Sequence, residues 1–523
     1  MTTTPLANLP RDCWLQVLEC LPKHDLDSLS RVSHDIRTSV EHFLYRSIHW
    51  DWEHPQVHKI LCLLRTISER RELADHIRHV SFVWWDVESC QTNIIIPKGK
   101  IDWAKAMLRF RPTLRWARKI VRDVKFPPKL HAKWKARLLD GDAYVYATLL
   151  VSQLHNLRSL RLDFSLLLEG GFPGELLHQS LFGNAPPGVL TRFSKLEMVD
   201  YGSNLPITEF RDTIYSAEPC QFIPWFHLPS LKTLEIWLQS LDGITVFPGQ
   251  MPKRSWMLPN LRTLVLAKAG VYPDDIATLL CQFPYLESLH VGMAYKCRVT
   301  TEFLEQPECF LRSLETSSQT IKHLSISLEL LPYCADNFRL RLSGDPGKPF
   351  RDMLKKFPQL KTASVPLYFL IGWGTRTYEL RDVLPSTIEA LHLSLDPSLD
   401  LWSTTSMMVF EVGALGALKS LMRHKERGSR PSLITFSFDG MHEHNEELLV
   451  PNLREAIHLL CLSEGYNLFS RYENCTPGFM LKSATLVNNV IYWFPWPFVE
   501  VDELPLSRFR RWIWILKERV MPI

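Results

Sequence analysis

Two stretches of this chain are dense in residues that could do chemistry. At 442 it reads HEHNE, where His442 and His444 could lie near a metal. A zinc-protease helix needs its second histidine where Glu446 stands, so the ligand pair is incomplete and an exposed acidic loop is the plainer reading. No G-x-S-x-G elbow, Walker loop or dinucleotide glycine fingerprint occurs. The chain is expected to be non-catalytic, with no catalytic residues, no metal and no cofactor.

The second stretch runs from Lys98 to Arg137, with fourteen lysines and arginines against Asp102 and Asp123, and with Trp103, Trp116 and Trp134 interleaved. Cations alternating with aromatics can hold phosphates and stack on bases. The competing reading is a solvated helical insertion whose tryptophans pack inward, and no nucleic-acid fold signature accompanies the patch.

These segments need a scaffold, and composition bounds it. Hydrophobic residues are 46% and charged residues 22% of 523, a globular balance, and the net charge of +4 is too small to imply an anionic partner by itself. A chain this long is expected to form several domains or an elongated repeat array. Eleven scattered cysteines without a C-x-x-C pair fit a reducing compartment. The start MTTTPLANLP has no signal-peptide pattern, and no apolar run is long enough to span a membrane, so cytoplasm or nucleus is expected.

Residues 9 to 22 read LPRDCWLQVLECLP. Trp14, Val17, Leu18 and Leu21 share one helical face, with Pro10 tolerated at the start and Pro22 ending the helix. A second helix from about Asp25 carries Leu26, Leu29 and Val32, and a third carries Ile36, Val40, Phe43 and Leu44. Three helices in so few residues bury too little to stand alone. Leu9, Leu18 and Leu21 are not expected all to fit inside, so part of this apolar surface is expected to meet a partner.

The segment LPRDCWLQVLECLPKHDLDSLSRVSHDIR followed by HFLYRSI resembles an F-box over roughly residues 6 to 48. Its specific parts are Leu9-Pro10, Val17-Leu18, Leu21-Pro22, Asp25-Leu26 and Arg31-Val32. Ser33 stands where the family often has cysteine, and Cys13-Trp14 replace the commoner aliphatic pair. The resemblance implies docking on the small adaptor that joins F-box proteins to a cullin ubiquitin ligase, an SCF-type complex. The contact residues it implies are Leu9, Pro10, Val17, Leu18, Leu21, Leu26 and Val32.

Further along, one phrase recurs: LHNLRSLRL at 154, LPSLKTLEI at 228, LPNLRTLVL at 258, FPYLESLHV at 283 and FPQLKTASV at 357, with an early cousin HIRHVSF at 76. L-x-x-L-x-L describes a short strand sending alternate side chains inward, and stacked copies share one core. The pattern resembles leucine-rich repeats, although the spacing is irregular and the asparagine or cysteine that usually follows the strand is missing from LRTLVLAKAG and LESLHVGMAY. A closed barrel or doubly wound sheet gives similar periodicity, but the consistent acids, bases or phosphate loops of a barrel enzyme are absent.

The expected fold is therefore α/β: a three-helix F-box (1–50), a helical linker with a first repeat-like strand and the basic insertion (51–152), a leucine-rich-repeat solenoid with its parallel sheet on one face and helices and loops on the other (153–440), and a carboxy-terminal cap (441–523) holding Trp512, Ile513 and Trp514. Read in one register, the solvent side of the sheet should present Arg161, Glu235, Val265, His290, Ser325, Ser364 and His392, with Trp237 beside Glu235. Of these, Arg161, Glu235, Trp237, His290, Ser325 and His392 are the candidate substrate contacts. The functional expectation is a substrate-recognition subunit that binds the ligase adaptor and an unknown protein target, with no membrane partner. The alternative is a nucleic-acid-binding or scaffolding repeat protein using segment 98–137.

Overall fold

The computed structural model describes residues 10–84, 108–205, 219–238, 258–283, 285–295, 297–330, 348–372, 380–394 and 415–419, with residue 413 and short pieces at 433–437, 468–470 and 490–493. Two compact units emerge, residues 1–237 with 242–261, and residues 238–241 with 262–523.

The first unit opens with α1 (Arg11–Cys20), α2 (Lys23–Ser30) and α3 (His34–Leu44). Pro10 and Pro22 sit at the N-caps of α1 and α2, where a missing N–H costs nothing, and Ser33 caps α3 by accepting from the Ile36 N–H at 3.3 Å. Val32 lies past the end of α2 rather than on its face, because that helix stops at Ser30.

Directly after α3 comes β1 (Ser47–Asp51), followed by α4 (Val57–Glu69), the single turn α5 (Arg71–Ala74) and β2 (His79–Val83). Among the described residues, α6 (Arg111–Asp123), α7 (Pro128–Leu139) and α8 (Ala143–Val151) lie before the next strand, the last buried along its whole length. Strands β3 (Ser159–Leu162), β4 (Met198–Tyr201) and β5 (Thr233–Ile236) complete the unit, with α9 (Phe164–Leu168) and α10 (Phe172–Phe182) between β3 and β4. The five strands pair in chain order and all in parallel. Each connection must therefore cross over and return, which is why helices or 3₁₀ turns fill the gaps.

The recurring phrase maps onto this geometry. Leu157, Leu160 and Leu162 superpose in register with Leu196, Val199 and Tyr201 and with Leu231, Leu234 and Ile236, and none is more than 1% exposed. Ile77, Val80 and Phe82 of HIRHVSF take the same places at the same burial, so the parallel sheet extends well before residue 153. Full burial of such a side chain contributes roughly 1.5–3 kcal/mol, and no strand could achieve it without its neighbours.

A lateral tie holds the strand ends. Asp163, fully buried after β3, accepts from the Trp84 N–H at 2.9 Å, from Asn204 Nδ2 at 2.7 Å and from the Ser165 N–H at 2.9 Å, so it also caps α9. Asn204 in turn accepts from the Phe164 N–H at 3.0 Å and donates to the Trp84 carbonyl. These two residues link the chain leaving β2, β3 and β4.

In the second unit, β6 (Thr263–Ala269), β7 (Ser288–Tyr295), β8 (His323–Leu330), β9 (Thr362–Pro366) and β10 (Ala390–Ser394) again pair in parallel and in order. Beyond them lie β11 (Leu433–Ser437), then β13 (Val490–Trp493), then β12 (Leu468–Ser470). Helices α11 (Pro273–Leu280), α12 (Cys297–Glu305) and α13 (Glu308–Thr316) occupy the crossovers around β7. Leu286, Leu289 and Val291 repeat as Ile321, Leu324 and Ile326, as Leu360, Ala363 and Val365, and as Ile388, Leu391 and Leu393, none above 3% exposed.

Just before several strands, one carbonyl accepts two successive N–H groups from the next strand, as Arg158 O does from Glu197 and Met198, and Glu287 O from Lys322 and His323. Charges of opposite sign meet there. Lys232 lies 2.8 Å from Glu197 in the first unit, and Lys322 lies 2.7 Å and Lys361 3.1 Å from Glu287 and Glu389 in the second. Such exposed pairs contribute little to stability, yet they disfavour a slipped register.

Candidate functional site

Two surfaces were expected to work, the apolar front of the helical bundle and the outer face of the sheet. In the bundle, Leu18, Leu26 and Val40 form the buried centre, with Trp14, Leu21, Leu29, Ile36, Phe43 and Leu44 packed half-buried around it. Leu18 is 0% and Leu26 5% exposed, so their part in the folded chain is to hold the helices together. Pro10 is exposed, as are Val17 at 41% and Val32 at 66%. Leu21 is half-buried at the end of α1, and Leu9 lies outside the described residues. The apolar surface open to a partner thus comprises Pro10, Val17, Val32 and the rim of Leu21.

The bundle is braced by the chain that follows it. Glu41 of α3, nearly buried, takes both Arg37 and Arg70, and these hydrogen bonds hold its carboxyl down at about 2. Arg46 Nη1 donates to Glu19 at 2.7 Å, while the Arg46 carbonyl receives the N–H groups of Arg78 and His79 at the start of β2. Lys23 Nζ donates to the Ser47 carbonyl at 3.3 Å.

The outer sheet face differs from expectation. Rather than a row of solvated side chains, neighbouring strands pair sideways. In the first unit, Arg161 donates from Nε and Nη2 to Asp200 Oδ2 at 3.1 and 3.0 Å, and Glu235 in register with Asp200 is only 3% exposed. Trp237, expected to face outward, is 3% exposed, its ring 6.0 Å from that of Phe222. The reason is that β5 ends at Ile236, so strand alternation no longer governs the next residue.

In the second unit, His290 and Ser325 are buried and hydrogen-bonded at 2.7 Å, and Val265 is buried too. Burial pushes the His290 imidazole down to about 4, so it is neutral, and its Nε2 finds no partner among the described residues. Ser364 and His392 are half-buried. In-register strands stand about 4.8 Å apart, close enough for polar side chains to satisfy one another, and this lateral pairing is invisible in any single repeat. Of the predicted row, Arg161, Ser364 and His392 are partly open, whereas Trp237, Glu235, His290 and Ser325 are buried.

Of the interleaved tryptophans, Trp134 is 0% exposed, donates from Nε1 to Glu175 at 3.0 Å and stands edge-on to Phe172. Trp116 is half-buried, and Trp103 lies outside the described residues, as do His442, His444, Glu446, Trp512, Ile513 and Trp514. Among the described residues no three metal-binding side chains converge, and no helix is long and apolar enough to cross a membrane.

Comparison with known families places an F-box domain at residues 6–46, the span of the three-helix bundle. F-box domains generally bind the adaptor of SCF-type ubiquitin ligases, and proteins that carry them are typically non-catalytic substrate adaptors. No curated protein matches the chain.

Proposed function

We propose that this protein is the substrate-recognition subunit of a cullin-based SCF-type ubiquitin ligase, and that its repeats are an irregular form of leucine-rich repeat. The observation carrying the reading is the bundle matched as an F-box, which leaves Val17 and Val32 exposed while its third helix runs straight into the first strand of a parallel sheet. In this reading Pro10, Val17, Val32 and the exposed rim of Leu21 meet the adaptor, with Leu9 continuing that edge. The stacked strands support the repeat assignment through their in-register leucines and one-to-one order. The target is a protein, captured by the repeat region, and the working compartment is cytoplasm or nucleus.

The chain itself breaks no bonds in this scheme. Its contribution is proximity, since a target held on the array experiences a high effective concentration of the ubiquitin-loaded enzyme. Within the first unit, Glu41 with Arg70 and Arg46 with the start of β2 tie the bundle to the sheet. The test is co-purification of the full chain with the ligase adaptor, compared with a Val17→Asp, Val32→Asp variant. Equal recovery of adaptor by both would remove the proposal.

A further inference from the structure

We propose that the arginine face of α6 is a docking surface for an acidic segment of a partner protein, one bearing carboxylates or phosphates. The proposal rests on the receptor reading only in taking the partner to be a protein. Helix α6 buries Thr113, Leu114, Ala117, Ile120 and Val121 and turns Arg111, Arg115, Arg118 and Arg122 to solvent. That spacing stacks the four guanidiniums along one side of the helix over roughly 16 Å, a length set by the helical rise.

Several other cations of this unit are paired with carboxylates, Arg70 with Glu41, Lys133 with Glu175, and Arg137 with Asp142 and Glu169. Among the described residues Arg122 has one carboxylate neighbour, Asp123, at 3.8 Å. Among the described residues no carboxylate pairs with Arg111, Arg115 or Arg118. At the start of the helix two more guanidiniums crowd one ring, Arg65 at 5.7 Å and Arg109 at 5.4 Å from the centre of Phe110, and Arg109 Nη1 has His58 Nε2 at 3.0 Å. Like charges at this spacing repel, and an anion lying across them removes the repulsion while gaining forked hydrogen bonds that arginine makes to carboxylate or phosphate. Leu108, 82% exposed at the same end, adds an apolar contact.

A polypeptide fits this face better than nucleic acid does. Single-stranded nucleic acid needs aromatic faces to stack on. Phe110, Phe126 and Trp134 are buried and Trp116 is half-buried, so no fully exposed ring accompanies the cations on α6 or α7.

The experiment uses the full chain and four labelled probes in fluorescence anisotropy: a short peptide rich in Asp and Glu, the same peptide with phosphoserines, a neutral peptide, and an RNA of matched charge. Both acidic peptides should bind above the neutral one and weaken steeply with salt. Charge reversal at Arg111, Arg115, Arg118 and Arg122 together should weaken them about tenfold or more, with the melting temperature unchanged. Tighter binding of the phosphopeptide assigns the anion to phosphate, and equal binding assigns it to carboxylates. Tighter binding of RNA than of either acidic peptide, no preference over the neutral peptide, or salt-independent binding by the wild-type chain overturns the proposal. Should the reversal variant unfold, the four-fold Arg→Gln variant must show the same loss. Adaptor recovery, measured in parallel on both chains, reports separately on the receptor reading and should not change.

Discussion

Arg70 donates from Nη1 to Glu41 Oε1 at 2.8 Å and from Nη2 to Oε2 at 2.7 Å, a forked ion pair between the last helix of the F-box bundle and the turn that leads to β2. It ties the F-box bundle to the chain that enters the parallel sheet within the first unit.

The first prediction concerns that pair. Arg70→Ala should cost about 1–3 kcal/mol, the scale of a hydrogen bond to a charged group, with Arg37 left to hold Glu41 alone. Because the folded carboxyl is depressed to about 2, its stabilisation is complete above the ordinary carboxylate range and fades as pH falls toward 2. Urea unfolding of wild type and variant across acidic pH should show the two curves converging. A gap independent of pH would mean that Arg70 acts by packing alone.

Exposed and buried bundle residues should separate cleanly. Val17→Asp with Val32→Asp should leave the melting temperature nearly unchanged and remove adaptor binding, since both side chains face solvent. Leu18→Ala should instead cost roughly 2–5 kcal/mol, because it opens a cavity at the bundle centre. Calorimetry of each variant, paired with adaptor pull-down, distinguishes the two effects.

The strand-end tie predicts an unusual sensitivity to one polar residue. Asp163→Ala strands the buried backbone donors of Trp84 and Ser165, at about 1–3 kcal/mol for each, and leaves Asn204 Nδ2 only the Trp84 carbonyl. Asp163→Asn keeps one acceptor oxygen and should fall between. Denaturant midpoints that place Asn204→Ala as more damaging than Asp163→Ala would contradict this hierarchy.

His290 should make the second unit acid-sensitive. Its imidazole titrates near 6.5 when unfolded but only near 4 when folded, so the unfolded chain binds the proton first. Stability is full above the unfolded value and should drop by about 3 kcal/mol as pH falls from 7 to 4. Amide protection in β7 and β8, corrected for the intrinsic pH dependence of exchange, should fall over that range, and His290→Leu should reduce the fall.

Local chemistry was enough to determine much of this molecule. The proline-bounded run at residues 9 to 22 and its apolar spacing specify short helices, and L-x-x-L-x-L specifies strands whose leucines turn inward, because both depend on neighbours a few residues apart. Even HIRHVSF was legible as a strand of the same kind. Which side of each helix and strand reaches solvent was settled only by tertiary packing. Leu18 and Val17 are adjacent and equally apolar, yet only the positions of α2 and α3 bury one and expose the other. Glu235, His290 and Trp237 read as outward by alternation, but neighbours contributed from distant sequence cover or pair with them. Asp163 and Asn204, a simple aspartate and asparagine in the chain, become a joint between three strands once crossovers bring their backbones together. Burial is a property of the assembled surface, so no window of one repeat's length can contain it.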